Sequence, residues 1–264
     1  PYELRDAGKR EALTFGNRLF FGHRHSGYQQ SPLGAQLART GWSWGSAAAD
    51  FDFDGFADVY IANGHETKAS VEDYEPEFWL HDIYVGKSQE NALAHQYFQE
   101  KFRATRGRGH SYGGYERNRF FLNEGGTNFV EVGYLFGLAM QEDSRNVAAA
   151  DLTGDGKLDL IVTTFEVHPK IRQTIRIFEN RLADVGAAVT LRLNSSKHWG
   201  QVGRLQNTAT IQAFALPLGE GYRTQMEPVT RIGLGTNREI PIHLQIGGLT
   251  TNISPHGHKP VTIP

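Results

Sequence analysis

The sequence contains no cysteine, so disulfide bonds and thiolate metal sites are both excluded. It has no apolar run near the roughly 18 residues that a membrane-spanning helix needs. It also lacks an excess of one charge, because 27 Lys and Arg against 29 Asp and Glu give a net charge of -2. This balance argues against nucleic acid or an anionic membrane as the main partner. We therefore expect a chain that is not membrane-spanning and that folds without cross-links.

Glycine and aromatic residues are abundant instead. The 264 residues include 30 Gly, 10 Tyr and 16 Phe, which favours a turn-rich β-fold. An apolar fraction of 39% is enough to bury a core in one or two domains. The chain starts at Pro1 with neither a Met nor an apolar leader. That start fits a removed signal peptide and a position inside a longer precursor equally well.

An internal repeat is the strongest signal in the sequence. A shift of 101 residues, without a gap, aligns many identical residues in one register. The aligned pairs include Asn17-Arg18 with Asn118-Arg119, Ala47-Ala48-Ala49-Asp50 with Ala148-Ala149-Ala150-Asp151, Asp54-Gly55 with Asp155-Gly156, and Asp58 with Asp159. Matches this numerous indicate a duplicated unit.

Each unit is predicted to consist of short β-strands. Val59–Ala62 and Leu160–Thr164 are β-rich runs that follow the two most acidic segments, and a third unit is predicted to start at Ile175–Asn180. Several short strands in each unit of about 45 residues are typical of a propeller blade. We therefore predict an all-β chain, with a partial β-propeller in residues 1–185 and a small C-terminal β-domain in residues 186–264.

The two copies are separated by an insert from about residue 64 to residue 115. Asn91–Ala94 and Tyr97–Phe98 belong to a run of helix formers, so the insert is predicted to be partly helical. It begins acidic and ends basic. Insertions on repeat scaffolds often carry binding surfaces. A solvated decoration without a binding role is an equally good alternative.

Two acidic loops are the candidate functional sites. Side-chain oxygens recur at positions 1, 3, 5 and 9, Gly at position 6 allows a tight turn, and the carbonyl at position 7 would complete the cage. These positions are Asp50, Asp52, Asp54, Phe56 and Asp58 in the first loop, and Asp151, Thr153, Asp155, Lys157 and Asp159 in the second. Carboxylates this close together would repel one another without a cation, and Ca²⁺ prefers hard oxygen ligands. We predict Ca²⁺ in both loops, more weakly in the second because Thr153 lowers the ligand charge.

Two alternative interpretations of these loops need to be considered. An EF-hand starts with the same Asp-x-Asp-x-Asp-Gly pattern, but it needs a Glu at position 12 and flanking helices. This chain has Ile61 and Val162 at that position, and both loops lead into β-branched runs, so the EF-hand is excluded. The remaining alternative is an Asp- and Gly-rich turn that caps its own backbone without metal. Even with Ca²⁺ bound, the expected role is to staple a turn and not to catalyse.

The repeats resemble the FG-GAP or VCBS repeat of integrin-type β-propellers. The first copy has Gly41–Gly45 ahead of its acidic loop and Asn63-Gly64-His65 behind it, and is similar to bacterial relatives of cartilage acidic protein. In that family an ASPIC/UnbV β-domain follows the propeller. Its first strand resembles Val189–Leu193, and its Gly-Leu-Gly turn resembles Ile232–Gly235. The Arg-Trp-Pro-Ser-Gly type of segment usual after its next strand is replaced here by Gln245–Leu249.

The resemblance implies an extracellular, periplasmic or cell-surface location in a bacterium, and a role in adhesion or protein interaction. A full propeller needs about four to eight blades, and two are clear here. We therefore expect a partner chain, or a further part of a clipped parent protein, that completes or covers the propeller. Two other functions stay open. One is a lectin that stacks sugar rings on Trp42, Trp44, Tyr112 and Tyr115, and the other is a carbohydrate-active lyase or hydrolase.

Overall fold

The structure, a computed structural model, is mostly β. It describes residues 16–23, 27–75, 92–106, 108–183, 185–193, 200–206, 209–215, 229–235, 242–246, 249–253 and 261–263. The helices within these ranges are α1 (Gly34–Leu37) and α2 (Ala92–Arg106). The strands are β1 (Phe20–His23), β2 (Gly27–Gln30), β3 (Ser43–Ala49), β4 (Asp58–Asn63), β5 (Ser70–Asp73), β6 (His110–Ser111), β7 (Arg119–Glu124), β8 (Asn128–Glu131), β9 (Ser144–Ala150), β10 (Asp159–Glu166), β11 (Arg172–Phe178), β12 (Ala187–Leu193), β13 (Gly200–Gln206), β14 (Ala209–Ala215), β15 (Val229–Gly235), β16 (Ile242–Ile246), β17 (Leu249–Ile253) and β18 (Val261–Ile263).

Sheet 1 contains β3, β4, β7 and β8 in that order, and all neighbours are antiparallel. All six residues of its central strand β4 are buried. Val59 and Ile61 pack on one face, while Tyr60 and Ala62 pack on the other. A strand covered on both faces needs apolar side chains at successive positions, and this explains the unbroken apolar run after the first acidic loop.

Sheet 2 contains β9, β10 and β11, with β10 in the centre and antiparallel to both neighbours. Its inner face packs on sheet 1 and forms the main hydrophobic core. Tyr60 and Phe120 of sheet 1 belong to the same buried cluster as Val147, Leu160 and Val162 of sheet 2. Two sheets stacked face to face in this way position both acidic loops at one edge of a common core.

The shift of 101 residues aligns strands as well as residues. It carries β3 onto β9 without an offset, and the β1–β2 hairpin onto the β7–β8 hairpin. The hairpin β1–β2 thus corresponds to the outer half of a sheet. The segment Ile175–Asn180, predicted to start a third unit, belongs mainly to β11, which pairs with β10 as β7 pairs with β4. It therefore supplies the third strand of sheet 2, in the place that β7 takes in sheet 1.

The segment between the copies contains α2 and a two-stranded parallel pairing of β5 with β6. A further antiparallel bridge joins Glu66 to Tyr112. No helix in the part of the chain that the structure describes has both the length and the apolar content required to cross a membrane.

Two further sheets lie in the C-terminal part, and we call them the C-terminal sheets. One has the order β15-β12-β18 and the other β14-β13-β16-β17. The expectation of a Gly-Leu-Gly turn at Ile232–Gly235 is wrong, because these residues end strand β15. Ile232 and Leu234 alternate onto one buried face, as strand geometry requires, and only the terminal Gly235 has a positive φ, of 61°. The domain boundary near residue 185 and the propeller itself stay predictions.

Candidate metal centre

The first acidic loop connects the edge strand β3 of sheet 1 to the interior strand β4. Ala49 at the end of β3 is the register partner of Asp58 at the start of β4, so the loop closes an antiparallel pair. Phe51 and Phe53 lie between the aspartates and are only 5% and 4% exposed. Their burial holds the loop on the core. Phe53 also has a φ of 58°, a conformation that residues other than glycine seldom adopt.

This loop brings three carboxylates together. One oxygen each of Asp50, Asp52 and Asp58 lies within 4.8 Å of the others. Calcium–oxygen distances are roughly 2.3–2.6 Å, so oxygens on opposite sides of an ion are about 5 Å apart. The other oxygen pairs in a coordination shell are closer than that. The span of the cluster therefore fits a Ca²⁺ ion at its centre.

The unpaired oxygen of Asp50 is a second feature that fits a cation at this site. Its Oδ1 is buried and has no hydrogen-bond partner. Buried polar atoms are nearly always paired, because an unpaired one loses its hydration without compensation. Its other oxygen, Oδ2, accepts a hydrogen bond from the Gly55 amide at 3.0 Å. A cation beside Oδ1 would satisfy the remaining lone pairs.

Hydrogen bonds within the loop also organise it without metal. Asp52 Oδ1 accepts from the Asp54 amide at 3.1 Å, and Asp54 Oδ1 accepts from the Phe56 amide at 2.8 Å. These are the self-capping bonds of the metal-free turn alternative. Asp54 is not part of the three-carboxylate cluster. The turn bonds and the three-carboxylate cluster thus occur together in one loop.

Asp58, the last residue of the loop, anchors it to the sheet. Its Oδ2 accepts a hydrogen bond from the Phe51 amide at 2.9 Å, and its Oδ1 accepts one from the Asn123 amide of β7, also at 2.9 Å. The residue is 1% exposed. Asp58 therefore connects the start of the loop to a strand 65 residues further along the chain.

The electrostatics of the first loop disfavour its negative charge. Burial, followed by repulsion from Asp58, raises the pKa of Asp50 to about 8. Burial also raises the pKa of Asp58 to about 7, against the lowering effect of the two amide hydrogen bonds. A bound cation would reverse this penalty, because it favours the ionised form of each carboxyl group.

The second loop differs in how its first aspartate is used. Asp151 Oδ1 accepts from the Gly154 amide at 2.7 Å, and Oδ2 accepts from the Gly156 amide at 3.0 Å. The guanidinium of Arg231 also lies 3.5 Å from Oδ2. The only group of three metal-ligating side chains among the described residues is the one in the first loop. Asp151, Asp155 and Asp159 are thus not brought into such a cluster, and the ligand role of Thr153 stays a prediction.

Lys157 and Asp159 of the second loop are positioned by the backbone that surrounds them. Asp159 accepts from the amides of Leu152 and Asn180, each at 2.9 Å, in the manner of Asp58. The Lys157 ammonium donates to the carbonyl of Leu182 at 3.0 Å and lies 3.8 Å from Asp155. The ligand role predicted for the carbonyls of Phe56 and Lys157 stays a prediction.

The aromatic residues considered for sugar binding pack on one another. The His65 ring lies between the rings of Trp44 and Tyr112, with centroids 5.4 Å and 5.3 Å away, and its edge meets Trp42 at 4.8 Å. The Arg145 guanidinium covers Trp44 at 4.8 Å. These rings are half-buried and form a cluster, not an open floor. This arrangement favours structural packing over the lectin alternative.

Three features near this cluster were missed by sequence reasoning. Burial raises the pKa of Glu116 to about 7, and its carboxylate accepts a hydrogen bond from the Trp42 amide. Burial also lowers the pKa of His65, whose Nδ1 has no hydrogen-bond partner. Gly41–Gly45 spells Gly-x-Ser-x-Gly, but Ser43 begins strand β3 and its hydroxyl donates to Asn63 at 2.8 Å. A nucleophile elbow needs a strand-to-helix turn with an exposed serine, and this site has neither.

The described residues also line a cavity of about 690 Å³ at the outer edge of sheets 1 and 2. Its walls are mostly apolar and include Phe51, Phe136 and Leu158. Its titratable residues, Glu179 and Arg181, pair with each other at 2.7 Å. An enzyme site would bring free acid and base groups together, so this cavity does not favour the lyase or hydrolase alternative.

The fold and the loops define a mostly β chain built on repeated sheets, with an acidic loop between two strands of each. The family of the FG-GAP-like repeat matches residues 109–162. This match confirms that a repeat of this kind is present, and it suggests an integrin-like β-propeller module. The match spans β7, β8, β9 and the second acidic loop, and it does not include the first loop. None of the curated proteins matches the chain, and an ASPIC/UnbV domain is not shown.

Proposed function

We propose that this chain is a calcium-binding β-propeller module that acts in protein interaction or adhesion outside the bacterial cytoplasm. The observation that carries the proposal is the cluster of Asp50, Asp52 and Asp58, with one buried oxygen of Asp50 left without a partner. The FG-GAP-like match supports the propeller part of the proposal. Location and adhesion rest on the resemblance alone.

In this proposal the ion is held by side-chain oxygens of Asp50, Asp52, Asp54 and Asp58 and by the carbonyl of Phe56. The bound ion would supply only charge and coordination, and no chemistry. Its effect is to fix the turn between β3 and β4 against the core. Calcium at the second loop stays a prediction from sequence alone, because its residues form no comparable cluster of carboxylates.

An exposed apolar face on sheet 2 supports the proposed partner. Ile175 and Ile177 of β11 are 65% and 61% exposed. They share a face with Ile161 and Thr163 of β10, their register partners. The corresponding face of sheet 1, which carries Tyr60 and Ala62, is covered by sheet 2. By this equivalence we propose that a further sheet of the same kind, from a partner chain or from the parent protein, covers Ile175 and Ile177.

Calcium binding is tested by thermal unfolding of the full chain after dialysis against EDTA. Added Ca²⁺ at about 100 times its Kd should stabilise the fold by about 2.7 kcal/mol, a rise in Tm of several degrees. Asp52→Asn should remove this rise, because it removes a ligand charge. The control Glu179→Gln changes an exposed acid outside both loops and should keep it. The calcium proposal fails if the wild-type Tm does not respond to Ca²⁺.

The proposed partner surface is tested by sedimentation. An exposed face of this kind should make the chain self-associate at high concentration, and Ile177→Lys should abolish the association without lowering Tm. Leu152→Lys, at another exposed apolar residue, is the control. A wild-type chain that stays monomeric at high concentration would argue against this surface.

A further inference from the structure

Strand β15 of the C-terminal sheets runs past both acidic loops. The Gly235 amide donates to the carbonyl of Phe53 in the first loop at 2.8 Å. A Cβ atom on Gly233 would lie only 2.0 Å from Asp50 Oδ2, so only glycine fits this approach. Two residues earlier, the Arg231 guanidinium reaches Asp151 of the second loop. One strand therefore contacts the first aspartate of each loop, with glycine at one loop and arginine at the other.

The pair of Arg231 and Asp151 is shielded from water. The two side chains are only 8% and 12% exposed. Surface ion pairs contribute little, whereas a desolvated pair is strongly coupled when hydrogen bonds satisfy its other polar atoms. On the carboxylate side this condition is met, because the amides of Gly154 and Gly156 bind the two oxygens of Asp151.

The charges of the two loops are balanced in different ways. The first loop carries four aspartates, and no described Lys or Arg side chain pairs with any of them. The second loop carries three aspartates and contacts two cations of the chain itself, Arg231 and Lys157. The difference predicts that the first loop needs an external cation more than the second does.

We propose that Arg231 is the resident cation of the second loop. Its guanidinium takes the role that Ca²⁺ has in the first loop, and the second loop serves to dock the C-terminal sheets onto sheet 2. The comparison with the first loop rests on the proposed calcium site, whereas the docking role does not. The pair of Arg231 and Asp151, which we call the latch, thus takes the place of calcium at the second loop.

The first test counts calcium ions by equilibrium dialysis of the full chain. The wild type should bind one Ca²⁺. Arg231→Met removes the charge and keeps most of the volume, so it should raise the number to two. Arg231→Lys keeps a positive charge beside Asp151 and should leave one. A wild type that binds two ions, or an Arg231→Met chain that still binds one, overturns the proposal.

The second test is a double-mutant cycle of Arg231→Met and Asp151→Asn, measured by urea unfolding in EDTA. The two changes should be coupled, with an unfolding constant for the double mutant about tenfold smaller than additivity predicts. The exposed pair of Arg176 and Glu142, changed to Met and Gln, should show much weaker coupling. If Arg231→Met does not fold, Arg231→Gln, which also removes the charge, replaces it in the cycle.

The two tests separate this inference from the proposed function. A chain that binds no Ca²⁺ but shows the coupling would refute the calcium site and leave the latch standing. Additive effects of the two substitutions would refute the latch, even if the first loop binds Ca²⁺.

Discussion

Asp58 and Asp159 make the same pair of backbone contacts in two different sheets. Each carboxylate accepts one hydrogen bond from the second residue of its own loop, Phe51 or Leu152. Its other oxygen accepts a hydrogen bond from the amide of Asn123 in β7 or of Asn180, two residues after β11 ends. Both aspartates are almost fully buried, at 1% and 0% exposure. The last aspartate of each loop is therefore a structural anchor, whatever else the loop binds.

We predict that Asp58→Asn and Asp159→Asn each destabilise the fold by about 2 kcal/mol. The substituted amide can turn only one oxygen toward the two donors, and its NH₂ group would face the other, which leaves a buried N–H unpaired at a cost of about 1–3 kcal/mol. Urea unfolding in EDTA measures the loss. Asp155→Asn, at an exposed carboxylate of the second loop, should cost less than about 0.5 kcal/mol. Equal losses at all three positions would contradict the anchor role.

The raised pKa values in the first loop predict opposite effects of pH on stability and on calcium binding. The pKa values of Asp50 and Asp58 are about 8 and 7 in the fold, against an ordinary value of 3.8. The folded chain therefore binds more protons than the unfolded chain across this range. Stability of the metal-free protein should fall as pH rises from about 5 to 8. Calcium affinity should rise over the same range, because Ca²⁺ must displace these protons.

Unfolding in EDTA and calcium titrations at pH 5.5, 6.5 and 7.5 test this prediction. Asp50→Asn should flatten the pH dependence of stability. Part of the slope should remain, since Glu116 also has a raised pKa, of about 7. A calcium affinity that does not change between these pH values would count against the loop as the binding site.

Close approach of β15 to the first loop predicts a strict requirement for glycine at position 233. In Gly233→Ala the new methyl would also lie 2.7 Å from the Phe53 carbonyl carbon, and backbone cannot move as a flexible side chain can. We expect a loss of about 3 kcal/mol, at the upper end of overpacking effects, and weaker calcium binding because Asp50 is displaced. Gly22→Ala is the control, since its Cβ would meet only the Tyr28 ring, at 3.5 Å. It should be nearly neutral.

The aromatic cluster around His65 predicts a structural and not a sugar-binding role for Trp44. Its ring stacks on His65 and beneath the Arg145 guanidinium, so Trp44→Ala should destabilise the fold by about 2–3 kcal/mol. Tyr28→Ala, at a ring that is 82% exposed, should have little effect. Glycan-array binding should be absent in the wild type and unchanged in the variant. Saturable binding of a sugar, lost in Trp44→Ala, would instead favour the lectin alternative.

The features that local sequence carries were predictable. The spacing of Asp and Gly identifies both loops, and the apolar runs after them become β4 and β10. The repeat was visible because the same local pattern occurs twice. In each case the physical cause lies within a few residues: a turn that needs glycine, carboxylates at alternate positions, and a strand that is buried on both faces.

The features that depend on distant parts of the chain were not predictable. The pairing of Val59 with Phe121 crosses the whole segment from residue 64 to residue 115, and no local pattern specifies it. The contact of Arg231 with Asp151 joins residues 80 positions apart. The segment at Ile175 was correctly predicted as strand-forming, but its place as the third strand of sheet 2 depends on pairing with β10.

The offset between repeats and sheets has a consequence for how the molecule comes apart. Residues 109–162 include β7 and β8 of sheet 1 and β9 of sheet 2, and they end within β10. Each repeat thus contributes strands to two neighbouring sheets, and no single repeat contains a complete sheet. Neighbouring sheets should therefore melt as one cooperative unit, and excising one repeat would leave two incomplete sheets instead of a shorter stack.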